Sequence, residues 1–260
     1  MMKSVLLILL AGSLRSLTTE SFILGFKHER QLRVLFVNGA TDATQEREPW
    51  EFGRFAQQSS KFVTLPFSRV EKKVLKPNDI LWEPADRNFE FGPLDDVVMG
   101  GASSSMFDNV SGKWRGTVTD ANNGGFIGIR SYPAFQYDMS ACKGVEVKVK
   151  GGNGKRFKFV LRDSTDFNGI TWSTSATLGN QKNPILKLFE DKKDDTAVIQ
   201  IRFDEQIPAL FARTIPDQVF QKDSVTGIQV AYSKFEYDGE INSFFELGDV
   251  DLQILSIKTF

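Results

Sequence analysis

From about residue 88 to its end, the chain alternates apolar and polar residues with a period of two, which limits its fold more than any other feature. Val145, Val147 and Val149 alternate with Glu146, Lys148 and Lys150. Phe157, Phe159 and Leu161 alternate with Lys158 and Val160, and Ile199, Ile201 and Phe203 with Gln200 and Arg202. Ile228 and Val230 follow, then Val250, Leu252 and Ile254. Successive strand side chains point to opposite faces, so each run can bury one face and wet the other. Gly/Asn/Asp clusters at 122–125, 151–154 and 163–169 separate the runs as turns. There is no comparable series of helical segments and no internal repeat. An all-β chain folded as an antiparallel β-sandwich is predicted.

Composition supports this reading. Among 260 residues there are 23 Phe against 4 Tyr, and Phe suits strands while burying a large apolar area. The length allows one sizeable domain with appendages, or two small ones. A net charge of -1 argues against nucleic acid as a partner, which calls for a basic excess. One cysteine, Cys142, excludes an intramolecular disulfide framework and a multi-cysteine zinc site. The one histidine, His28, lies in an N-terminal segment expected to be removed. Ser-His and Cys-His hydrolases and His-ligated metal enzymes are therefore disfavoured. No catalytic residue, metal or cofactor is expected.

Three regions are anticipated: a targeting leader (1–30), an N-terminal arm with an amphipathic helix (31–81), and the sandwich (82–260). In the leader, Lys3 precedes an apolar run, Val5 to Ala11, that is too short to span a bilayer; a Ser/Thr- and base-containing stretch follows. In the arm, Val34 to Val37 lead into Asn38-Gly39, a strand and turn or a linker without dinucleotide-binding spacing. Pro49 precedes Phe52, Phe55, Ser59 and Phe62 at helical spacing, giving one aromatic face. That face either docks on the sandwich or meets a membrane surface or a partner.

The segment Asp95-Asp96-Val97-Val98-Met99-Gly100-Gly101-Ala102-Ser103 pairs two glycines with short polar side chains able to bond turn amides. It is either a structural turn with Met99 plugging the core, or a partner-contact loop. Asn122-Asn123-Gly124-Gly125 presents the same alternatives, and both segments are expected at one end of the sandwich. Arg130, Arg156 and Arg162 fall in strands, either solvated or marking a carboxylate- or phosphate-binding face. Asp120, Asn122 and Gly124 only faintly match a calcium loop. Asn109-Val110-Ser111 is a glycosylation sequon, and Gly152-Asn153-Gly154-Lys155 reads as a hairpin turn.

The run Asp95 to Ser103 resembles the D-x-V-M-G-G-x-S signature of the complex I intermediate-associated proteins. Asn123-Gly124-Gly125-Phe126 with Arg130 resembles that family's N-G-G-F…R element. Gly151, Gly154, Arg156, Phe157, Phe159 and Arg162 resemble its glycine turn and charged strand, and Gly227 through Ile257 its closing strands. The resemblance covers about 82–260. The region 183–208 departs from the family pattern, as does the acidic stretch Glu236, Asp238, Glu240.

The resemblance implies a jelly-roll, galactose-binding-domain-like sandwich acting as a non-catalytic assembly factor or chaperone. Its clients would be protein subunits of a membrane-bound electron-transfer complex in a mitochondrion or plastid, with peripheral contact to the membrane. Asp96, Met99, Gly100, Gly101, Ser103, Asn123, Gly124, Gly125, Phe126, Arg130 and Arg162 are the candidate partner-binding residues, with Phe52, Phe55 and Phe62 as a helix face. The competing reading is a carbohydrate-binding jelly-roll module in the secretory pathway, for which Trp114 or Trp172 would supply the sugar platform.

Overall fold

A computed structural model describes residues 51–62, 71–86, 88–179 and 195–260, all within a compact unit spanning 46–260. The leader, His28 and the run Val34 to Val37 lie outside the described residues. Among these, no helix is long and apolar enough to cross a membrane.

The chain folds as an antiparallel β-sandwich, as the alternation predicts. One sheet has seven strands in the order β13 (Arg213–Thr214), β12 (Ile207–Leu210), β10 (Thr171–Thr177), β9 (Arg156–Arg162), β14 (Gly227–Ser233), β6 (Phe126–Tyr132), β3 (Glu90–Pro93). The other runs β11 (Thr196–Arg202), β8 (Gly144–Gly151), β15 (Gly248–Thr259), β5 (Lys113–Val118), β4 (Ser104–Asp108). Strand β2 (Ile80–Trp82), which straddles the expected boundary between arm and sandwich, pairs with β15 and belongs to this second sheet. A short parallel pair joins β1 (Lys72–Val74) to β7 (Gln136–Asp138).

The apolar residues picked out by period two form the core. Val145, Val147, Val149, Phe157, Phe159, Leu161, Ile199, Ile201, Val230, Leu252 and Ile254 are all buried. Aromatic rings join the sheets: Trp114 of β5 lies 6.0 Å from Phe157 of β9, and Trp82 of β2 lies 5.3 Å from Phe91 of β3, both edge-on. The long strand β15 changes phase once. A register shift between Ile254 and Ser256 lets both Ile254 and Ile257 face the core, although they are an odd number of residues apart. Between β8 and β9, Gly151, Gly152, Asn153 and Gly154 all have positive φ, the backbone of a tight hairpin.

The outward face of the seven-stranded sheet is partly roofed by two elements. Just past α1 (Phe52–Ser60), the one α-helix among the described residues, Phe62 packs against Tyr132 of β6, and the segment after β14 crosses another part. In that segment Glu236 accepts from Arg156 Nε (2.9 Å) and Ser175 Oγ (2.9 Å), while Lys158 Nζ donates to the carbonyls of Phe235 and Glu236. Asp238 then takes Thr214 N and Oγ1 at the far edge. The acidic stretch that sets this chain apart from the family pattern is thus a strap fastened to the sheet.

Candidate functional site

The signature forms a 3-10 turn, Asp96–Met99, ended by Gly100 at φ +92°. The Asp96 carboxylate sits behind it, fully engaged. Its Oδ1 accepts Ser103 N (3.0 Å); its Oδ2 accepts Ser103 Oγ (2.7 Å), Gly125 N (2.9 Å) and Phe126 N (3.2 Å). Asn122 Nδ2 donates to the Gly100 carbonyl (3.0 Å), closing the corner from the other side. Two glycines are demanded by space: a Cβ on Gly101 would lie 2.3 Å from Asp96 Cγ, and one on Gly124 2.5 Å from Asp96 Oδ2. A carboxylate can gather this many amides only where side chains do not keep the backbone away. The segments at 96–103 and 123–126 therefore do meet.

Asp95, next in line, anchors the helix. Its carboxylate accepts Gln58 Nε2 (2.9 Å), Ser105 N (2.9 Å) and Ser105 Oγ (2.6 Å), while its own amide donates to Gln58 Oε1 (2.9 Å). Burial pushes the Asp95 carboxyl up, and these hydrogen bonds oppose the shift. Arg54 donates to the Ser103 carbonyl (2.8 Å) and lies 3.8 Å from Asp95. The seam of α1 is thus polar, made by Arg54 and Gln58 one turn apart, and this corrects the reading in which the aromatic face docks the helix on the sandwich. Phe52 is exposed and Phe55 half-buried, while Phe62, beyond the helix end, is buried against Tyr132 at 6.0 Å. The Phe spacing hid this because Gln58 and Arg54 read as solvent-facing when taken alone.

Asp96 and Ser103 are buried, so what they offer a partner is the shape of the loop they hold. Met99 is 81% exposed, which removes the reading of it as a core plug. Gly100 faces open space, and Asn122 and Asn123 take left-handed backbone beside it. A rigid, uncharged tip with one large apolar side chain results.

Arg130 and Arg162 are not part of this corner. They lie on the outward face of the seven-stranded sheet, towards the other end of β6, and both are buried, against the solvated reading. Arg162 Nη2 donates to the carbonyls of Asp166 (2.5 Å) and Phe167 (3.3 Å), shaping the 163–169 loop. Arg130 lines a cleft of about 830 Å³ with Lys61, Phe62, Lys73, Tyr132 and Phe135.

Other candidate chemistry is absorbed by the fold. Cys142 is buried, and burial pushes its thiol up, away from the thiolate. Trp114 and Trp172 are core residues, so neither is a sugar platform. The Asn109 carboxamide is pinned to Phe91, accepting its amide (2.7 Å) and donating to its carbonyl (3.0 Å). Among the described residues no three His, Cys, Asp or Glu side chains come close enough to hold a metal.

A two-sheet antiparallel sandwich whose opening loop is gathered on a buried aspartate defines a β-sandwich module of jelly-roll type. Residues 83–253 match the family model for Complex I intermediate-associated protein 30, and the chain belongs to that family. No curated protein matches the chain. Among solved structures, it is similar to the family 11 carbohydrate-binding module from Clostridium thermocellum in complex with a β-1,3-1,4-mixed-linked tetrasaccharide. The identity is 16% and the TM-score 0.44, over 72% of this chain and 96% of that one. A second structure, the family 11 module of a cellulosomal cellulase from the same organism, is 12% identical with TM-score 0.38 over the same shares.

Proposed function

We propose that this protein is a non-catalytic assembly factor that binds subunits of a large organellar membrane complex while that complex is being built. Respiratory complex I is the client the family points to. The observation that carries the proposal is the family match over 83–253. The structure suggests which surface to test. The Asp96-gathered corner presents Met99 on a backbone braced from four directions, and a preorganised apolar tip binds without first losing conformational freedom. In a mitochondrion the protein would work at the membrane periphery, after loss of its leader.

The test is native electrophoresis of detergent-solubilised organelles from cells carrying the tagged chain. Co-migration with a subcomplex smaller than the finished respiratory complex is expected. Migration only as free protein, with normal complex I levels after the gene is deleted, would sink the assembly reading. Met99→Asp, which adds a charge at an exposed position, should reduce co-migration while leaving the fold intact.

A further inference from the structure

Arg130 is 7% exposed, yet none of its guanidinium nitrogens meets a hydrogen-bond acceptor or carboxylate among the described residues. What it has instead is aromatic. Its guanidinium carbon lies 5.4 Å from the ring centre of Phe62 and 5.4 Å from that of Phe167. Rings lining a guanidinium interact with its face and leave its N–H donors, which lie in its plane, unused. The nearest like charge, Arg162, is committed to loop carbonyls and repels it. A largely buried cation that no acceptor among the described residues pairs leaves its donors to the cleft that it lines, whereas such a group is ordinarily paired.

The cleft it lines continues the pattern. Lys61 Nζ sits 5.3 Å from the Tyr132 ring and Lys73 Nζ 5.9 Å from the Tyr137 ring, and neither has a carboxylate partner among the described residues. Lys72, by contrast, is neutralised by Asp138 and Asp223. Among the described residues Glu71 is the one acid on the lining, against four cations; the walls between them are Phe62, Phe135 and Tyr137.

From this geometry we infer that the cleft is a carboxylate-binding subsite. Arg130 supplies a bidentate fork at its base, Lys61 and Lys73 supply charge at its rim, and the aromatic walls take an apolar or aromatic body attached to the acid. A planar carboxylate fits two parallel N–H donors of one guanidinium. A phosphate dianion would call for more donors at the base than one fork provides. The acid can come from a small molecule or from the acidic side chain or C-terminus of a bound polypeptide, since both offer the same group. This inference does not depend on the assembly proposal, because it concerns binding by the purified chain alone.

The full chain, labelled with 15N, would be titrated separately with N-acetylphenylalanine, its neutral amide N-acetylphenylalaninamide, inorganic phosphate, and a peptide ending in Glu-Phe. The Arg130 Nε–H resonance is the readout. The free acid should shift it saturably and the amide should not. Arg130→Met should weaken the acid at least tenfold; Arg130→Lys, which keeps charge but loses the fork, should weaken it nearly as much. Lys61→Met should weaken it about two- to fivefold. If the peptide binds at least tenfold more tightly than the free acid, the natural source is a polypeptide; comparable affinities point to a small acid, and both support the subsite. Tighter binding of phosphate than of the acid, equal binding of acid and amide, or unchanged affinity in a folded Arg130→Met variant would each overturn it.

Discussion

The Asp96 carboxylate reaches 29 residues along the chain to accept the amide of Gly125 at 2.9 Å. With the bonds from Phe126 N to Asp96 and from Asn122 Nδ2 to the Gly100 carbonyl, that contact joins the two glycine-bearing segments at the start of β6. Because Gly125 lies at φ +122°, its amide is turned towards the carboxylate by a backbone few other residues adopt.

Asp96→Asn is nearly isosteric and should nonetheless be costly. All four groups around the carboxylate are donors towards it, so the new amide places a donor against donors. A loss on the order of 2–4 kcal/mol is expected, read as a lower midpoint in urea with an unchanged slope. A variant as stable as the parent would show that the network is not what holds the corner.

The glycines should rank by space as well as by φ. Gly101→Ala and Gly124→Ala drive a methyl into the buried Asp96 carboxylate and should each cost about 2–3 kcal/mol. Gly100→Ala meets nothing within 4 Å and carries only the penalty of its φ of +92°, about 1 kcal/mol. Thermal melts of the three variants check the order; Gly100→Ala as the worst would contradict it.

Glu236→Gln should loosen the strap. Glu236 is the partner of Arg156 (2.9 Å) and lies 4.0 Å from Lys158, whose ammonium is pushed down by burial. Losing the charge leaves two cations facing each other across a poorly hydrated surface, a cost of about 2 kcal/mol after allowing for the partial exposure of Arg156. Hydrogen exchange of the amides at 234–242 should accelerate in the variant, while those of β8 stay slow.

Arg130→Met should stabilise the protein. Burial first, and then the charge of Arg162, push the Arg130 guanidinium down to about 9, which still leaves it charged at neutral pH. Because the folded value lies below the unfolded one, the unfolded chain binds the extra proton more readily. The burial penalty is therefore fully present below pH 9 and is relieved as pH rises above it. Removing the group should add about 1–3 kcal/mol at pH 7. The gap between variant and parent, measured by chemical denaturation, should narrow between pH 9 and 10. A destabilised variant would mean that the Phe62 and Phe167 contacts outweigh the cost of desolvation.

Cys142→Ala should leave client binding unchanged. The thiol is buried, with a long contact to the Leu75 carbonyl (3.7 Å) and the Thr259 side chain beside it, so it acts as a small packed side chain. Native co-migration should match that of the parent. Loss of co-migration in a fully folded variant would give the thiol a function.

The strands and the family were legible in the sequence because both are local. Period-two runs such as Val145 to Val149 state which residues face the core whatever they pair with, and the adjacent glycines of Met99-Gly100-Gly101 mark a loop that only a special backbone can make. Partnership across the chain was not legible. Nothing in the residues around Gln58 announces that it will meet Asp95, 37 positions away, so the Phe spacing leaves the docking face open while the helix docks through its polar side. The same limit applied to the charges. Arg130, Arg156 and Arg162 are alike in a strand pattern, yet tertiary structure pairs Arg156 with Glu236, gives Arg162 to loop carbonyls, and leaves Arg130 buried between two rings. Local alternation determines which face of a strand is apolar. Whether a polar group on the other face meets water, a carboxylate or nothing is decided by elements that arrive from elsewhere in the chain, and that choice makes the corner and the cleft.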